Sequence, residues 1–68
     1  MCMATAYLKR GSRKEAFMDD VVNLLVEEGG VVVKALFGEQ KCVEARIREV
    51  DFMSSTIILE GTDEEDAG

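Results

Sequence analysis

Val21-Val22-Asn23-Leu24-Leu25-Val26-Glu27-Glu28-Gly29-Gly30-Val31-Val32-Val33 is the stretch on which the fold turns. By spacing alone, Val21, Val22, Leu24, Leu25 and Val26 suit one face of a helix. Length argues for a strand. Asp19-Asp20 before the stretch and Glu27-Glu28-Gly29-Gly30 after it leave less room than the 10–12 or so residues a helix usually needs. Gly29-Gly30 ahead of three valines is a hairpin signal, because glycine supplies the positive φ angles that a tight turn requires.

The flanks read the same way. Ala4, Ala6 and Leu8 alternate with Thr5, Tyr7 and Lys9, the pattern of a strand with one buried face. Gly11-Ser12, inside the basic run Lys9 to Lys14, marks a turn. Ala16-Phe17-Met18 is a short strand that Asp19-Asp20 interrupts. Val31 to Phe37 is the next strand, and Gly38-Glu39 a second turn. Val43, Ala45 and Ile47 then alternate with polar residues, but Val50 and Phe52 carry on with the opposite parity. One residue has been gained, as at a β-bulge or strand corner. Ser54-Ser55 turns the chain into a closing strand, Thr56 to Leu59. Five or six short strands with regular turn signals predict an all-β fold, a small barrel or a two-layer sheet. Phe17, Leu36, Phe37, Ile47, Phe52, Ile57 and Leu59 are its expected core.

With 68 residues the chain is one small domain. Such a core supplies roughly 3–5 kcal/mol at best, so a metal or a partner subunit is an attractive supplement. Two cysteines are too few for a disulfide scaffold. No apolar run approaches the roughly 20 residues that cross a bilayer, and residues 1–15 show no signal-peptide pattern. The expected location is the cytoplasm, where thiols stay reduced. The net charge of −6 is concentrated at one end. Glu60 to Gly68 holds five acids and no base, leaving eight bases against nine acids in residues 1–59. The expected organisation is a β domain over residues 1–60 and an acidic, disordered tail over 61–68.

The residue inventory argues against an enzyme. The chain has no histidine, the commonest general base and the usual partner of a Ser or Cys nucleophile. Asp19 and Asp20 are adjacent and on a strand would point to opposite faces. No phosphate-binding loop or Cys-x-x-Cys pair appears. Cys42 falls in a strand and reads as a small inert hydrophobe. Cys2 differs, because its sulfur lies beside backbone nitrogens at the start of the chain. With Met1 kept, the α-amine, the Cys2 amide nitrogen and the Cys2 sulfur form two fused five-membered chelate rings. With Met1 removed, Cys2 offers its own amine and sulfur, and the Met3 amide is next in line. Such mixed nitrogen and sulfur donors suit Ni(II) or Cu(II) in a square-planar arrangement better than tetrahedral zinc. One chain supplies only two or three donors, and a two-fold dimer would complete four.

Met1-Cys2-Met3-Ala4, continued as Ala6-Tyr7-Leu8, resembles the opening of the CooT family of small nickel-binding proteins. The resemblance runs through Met18-Asp19-Asp20-Val21, is sharpest over Leu36 to Lys41 and Val43 to Ile47, and ends at Ile57-Ile58-Leu59-Glu60. It implies an SH3-like or Lsm-like barrel, a homodimer, and one Ni(II) site built around Cys2. It also implies an accessory role in nickel delivery, with a client such as carbon monoxide dehydrogenase. Cys42 and the tail after Gly61 depart from the family pattern, and a second thiol would add an alternative metal site.

The competing expectation is a small-barrel module that binds RNA or protein. Its support is Lys9, Arg10, Arg13 and Lys14, four of the eight basic residues, with Tyr7 as the stacking candidate. The acidic total favours a solvated hairpin tip over a nucleic-acid surface. A structural subunit of a larger assembly is the third expectation.

Overall fold

The computed structural model describes residues 3–61, so Met1, Cys2 and residues 62–68 lie outside the described residues. Six strands make one sheet: β1 (Ala4–Arg10), β2 (Arg13–Glu27), β3 (Gly30–Ala35), β4 (Gln40–Val43), β5 (Ala45–Asp51) and β6 (Thr56–Gly61). Their order across the sheet is β4-β3-β2-β1-β6-β5. Neighbours are antiparallel except β1 and β6, which run parallel. No helix occurs among the described residues, so none is long and apolar enough to cross a membrane.

The stretch from Arg13 to Glu27 is one strand of 15 residues, not the two strands expected on either side of Asp19-Asp20. Straight, it would measure about 50 Å at a rise of roughly 3.3 Å per residue. The molecule's longest dimension is 39 Å. The strand therefore bends, and Asp20 is the elbow, with a φ of 56°. A short polar side chain tolerates this left-handed conformation better than most. The Asp20 carbonyl, turned out of the regular ladder, accepts from the Leu36 N–H at 2.9 Å. The N-terminal half of β2 pairs with β1, and the C-terminal half with β3. β2 gains a residue on β1 at two places and on β3 at one. Each bulge increases twist and bend. The outcome is a sheet curled into a half-barrel, in agreement with the small barrel expected from sequence.

The bulge expected between Ile47 and Val50 is present. Ile47 pairs with Leu59 and Glu49 with Ile58, so Arg48 is the extra residue of β5. The expected single strand across Val43 and Ala45 is instead two strands. Glu44 breaks it, and β4 and β5 lie at opposite edges of the sheet although one residue separates them. Chain continuity at Glu44 forces those edges to converge. Gly30 sits at that convergence, where a Cβ would stand 2.6 Å from the Val43 carbonyl oxygen. Gly29 supplies the positive φ of the hairpin, at 86°.

The core is built from aliphatic side chains and one methionine, with no aromatic ring fully buried: Ala6, Met18, Val21, Val31, Val33, Ala35, Ala45, Ile57 and Leu59. Ile57 and Leu59 are buried as expected, and Phe17 packs partly buried against the cluster. Leu36, Phe37, Ile47 and Phe52 are exposed, against expectation. For Leu36, Phe37 and Phe52 the reason is local. β3 ends at Ala35, where the Gly38 N–H donates to the Ala35 carbonyl at 3.1 Å and the Ala35 N–H to Glu39 at 2.8 Å. Leu36 and Phe37 thus lie on a surface turn, and Phe37 is 83% exposed. Phe52 lies on the β5–β6 turn and is 86% exposed.

Candidate metal-binding terminus and the groove beside it

The start of β1 is fixed from both sides. Ala4 pairs with Val21, one residue past the elbow of β2. Thr5 pairs with Thr56 on β6, and the Thr5 N–H donates to the Ser55 carbonyl at 3.0 Å. Met3 is exposed just upstream. Cys2, the predicted ligand, lies outside the described residues, and its neighbour once removed is thus held at a defined place on the sheet.

That place borders an apolar groove of about 250 Å³. Ala4, Val22, Leu24, Val50, Phe52 and Ile57 are among its walls. Val22, Val50 and Phe52 are all exposed, and Met53 next to them is 97% exposed. The turn that displays the last two is held by Asp51. Its carboxylate Oδ1 accepts from the Met53 N–H at 3.0 Å and the Ser54 N–H at 3.3 Å. Ser54 Oγ then donates to Thr56 Oγ1 at 3.0 Å. Apolar side chains presented this way cost free energy in water, roughly 25 cal/mol for each Å² left uncovered. Patches of this kind mark contact surfaces.

Metal donors are scarce elsewhere. Among the described residues, no three His, Cys, Asp or Glu side chains converge on a cation position. Cys42 is exposed on the edge strand β4, in register with Val32. Its side chain is open to solvent on that edge. It lines a hollow with Glu27, Glu28 and Glu44, on a different part of the sheet from Ala4. A larger open hollow of about 790 Å³ lies against Phe17, Asp19, Asp20 and Phe37. Lys41 crosses it, donating to the Phe17 carbonyl at 3.3 Å with its Nζ 5.1 Å from the Phe17 ring centroid.

The basic residues cluster at the far end of β1. Arg10 pairs with Arg13 and Lys9 with Lys14 across the β1–β2 hairpin. Arg13 meets Glu15 at 2.9 Å, and Lys9 donates to the Gly11 carbonyl at 2.9 Å. Lys14 Nζ lies 5.0 Å from the Tyr7 ring centroid, so the proposed stacking face is covered by a cation of its own chain. Phe37 and Phe52, which sequence reasoning sent to the core, are the aromatic rings most open to a partner. The signal that marked them was their position next to turn residues, Gly38 for one and Ser54-Ser55 for the other.

Both a family model and solved structures match this chain. The family model described as CO dehydrogenase accessory protein CooT matches residues 1–60. A crystal structure described as CooT from Carboxydothermus hydrogenoformans is 31% identical in sequence, with a TM-score of 0.83. The match covers 91% of this chain and 100% of that one. No curated protein matches.

Proposed function

We propose that this chain, which belongs to the CooT family of CO dehydrogenase accessory proteins, is a non-enzymatic nickel carrier that holds Ni(II) through the Cys2 thiolate and terminal backbone nitrogens. The observation that carries this reading is the fixed start of β1. Ala4, two residues after Cys2 in the sequence, is held beside the groove, and the described residues offer no competing donor cluster. The chain has no histidine, so a soft thiolate with amide and amine nitrogens is the donor set its start can present. The cargo would pass to a nickel enzyme such as carbon monoxide dehydrogenase. A reducing compartment such as the cytoplasm would keep the thiolate available.

Two donors or three leave a square plane incomplete, and a second copy related by a two-fold axis supplies the rest. The groove beside Ala4 suits that copy. It is apolar and open, and Phe52 projects from its wall. In a two-fold contact the same residues meet from both sides, so a projecting ring and an open groove on one surface complement themselves. An apolar surface also suits a protein partner better than a nucleic acid, whose affinity comes chiefly from phosphate contacts.

The test is titration of Ni(II) into the reduced protein. Thiolate-to-nickel charge-transfer absorption should saturate at one metal per two chains, and native mass spectrometry should read the same ratio. Cys2→Ala should abolish the band, and Cys42→Ala should leave it intact. The reverse pattern would place the metal at β4 and overturn the assignment.

A further inference from the structure

We propose that β4 takes up an extended, basic segment of another protein as a further strand, paired along its free edge. β4 ends the sheet order, with β3 on one side and no strand on the other among the described residues. The register says which backbone groups that edge presents. The Ala35 N–H donates to the Glu39 carbonyl, so Glu39 turns its backbone towards β3. Lys41, opposite Val33, and Val43, opposite Val31, follow at two-residue steps and do the same. Gln40 and Cys42 are the residues between, and in an antiparallel ladder their N–H and C=O groups point the other way, out of the sheet. Such an edge is a template for another strand, and a lysine projecting over it is a common guard. Lys41 does not project over it. Its Nζ is drawn back to β2, donating to the Phe17 carbonyl at 3.3 Å and lying 5.1 Å from the Phe17 ring centroid.

The charges around β4 select the occupant. The hollow at its Gln40 end is lined by Asp19, Asp20 and Glu39, with Lys41 as the one base. The hollow at its Val43 end is lined by Glu27, Glu28 and Glu44, with no base. A second copy of this chain would set these carboxylates against themselves, because a two-fold contact repeats each residue on both sides, and like charges placed opposite are destabilising. A segment carrying Lys or Arg meets carboxylates instead. Four strand residues span about 13 Å, so two basic residues about four positions apart reach both hollows. Phe37 lines the first hollow and is exposed, which gives the aliphatic stem of such a residue an apolar surface to lie on. Main-chain bonds then supply affinity and the hollows selectivity. This docking does not depend on a metal at Cys2.

The experiment is two-dimensional amide NMR of the reduced full chain, titrated with a capped peptide of about nine residues, made of threonine and valine with lysine at its third and seventh positions. The Gln40 and Cys42 amides should exchange with solvent about tenfold more slowly in the complex, while those of Lys41 and Val43, already bonded to β3, change less. Glutamate in place of both lysines should weaken binding by about tenfold or more. N-methylation of one alternate set of peptide amides should abolish binding, and of the other set leave it intact. Gln40→Pro removes one outward N–H without touching the β3–β4 ladder and should weaken binding by about tenfold. No shift at about 1 mM peptide, equal binding of the glutamate peptide, or shifts centred on Ala4, Val50 and Phe52 would overturn the proposal. So would protection of Gln40 and Cys42 that rises with protein concentration in the absence of peptide, because the edge would then belong to a second copy.

Discussion

At Ala4, strand β1 borders an open groove that is also lined by Val22, Val50 and Phe52, three exposed apolar side chains. At Arg10, the same strand ends among Lys9, Arg13 and Lys14. One strand of seven residues thus joins surfaces of opposite chemistry. Burial of the first is favourable in proportion to the area covered and depends little on salt. The second is well solvated, and any single exposed ion pair there contributes about 0–1 kcal/mol. The difference teaches where affinity and where selectivity reside. The groove is suited to stable contact with protein, and the tip to weak, salt-sensitive attraction.

The widest test of this contrast removes what both ends share. Leu59 is fully buried, pairs with Leu8, and anchors β6 between β1 and β5. Leu59→Ala should cost about 2–5 kcal/mol in urea denaturation. In a domain whose core supplies roughly 3–5 kcal/mol, that loss unfolds a large fraction of the chain and both surfaces vanish together. A variant that retained the groove but lost the tip would show that the two ends fold independently.

The next test separates them. Phe52→Ala should change folding stability by about 0.5 kcal/mol or less, because the ring contacts mainly solvent. It should weaken self-association by about tenfold, or about 1.4 kcal/mol, in sedimentation at fixed salt. Equal association by both proteins would take the groove out of the interface. The smallest effect belongs to the tip. Lys14→Ala should lower stability by about 0.5 kcal/mol at low salt, through loss of the Tyr7 contact, and leave self-association unchanged. If Lys14→Ala disrupted the dimer and Phe52→Ala did not, the roles assigned to the two ends would be exchanged.

The strands were legible where periodicity is local. Ala4 to Leu8, the Gly29-Gly30 turn and the parity change after Ile47 each leave a mark within a few residues. The continuity of β2 was not legible, since Asp19-Asp20 reads as an interruption until Leu36 is seen to bond the Asp20 carbonyl. The break at Glu44 was hidden for a related reason. Alternation across Val43, Ala45 and Ile47 is the same whether one strand continues or two strands lie on opposite edges. The exposure of Phe37 and Phe52 is not legible in hydrophobicity alone, because each ring lies on a turn, past the end of its strand. For the candidate site, residue chemistry singled out Cys2, but nothing in the sequence pointed to the groove beside it. Val22, Val50 and Phe52 are brought to one wall from β2, from β5 and from the turn after it.

By itself the sequence determined the all-β character, most of the turns, the one thiol at the chain's start and the separation of acidic tail from near-neutral body. Those properties rest on φ preferences, side-chain period and donor chemistry, all set within a few residues. Only the tertiary structure decided which apolar residues face water, which edges converge at Glu44, and which charges lie beside the end of β6. Each depends on pairing between residues far apart in the chain, and the bend of β2 at Asp20 sets that pairing.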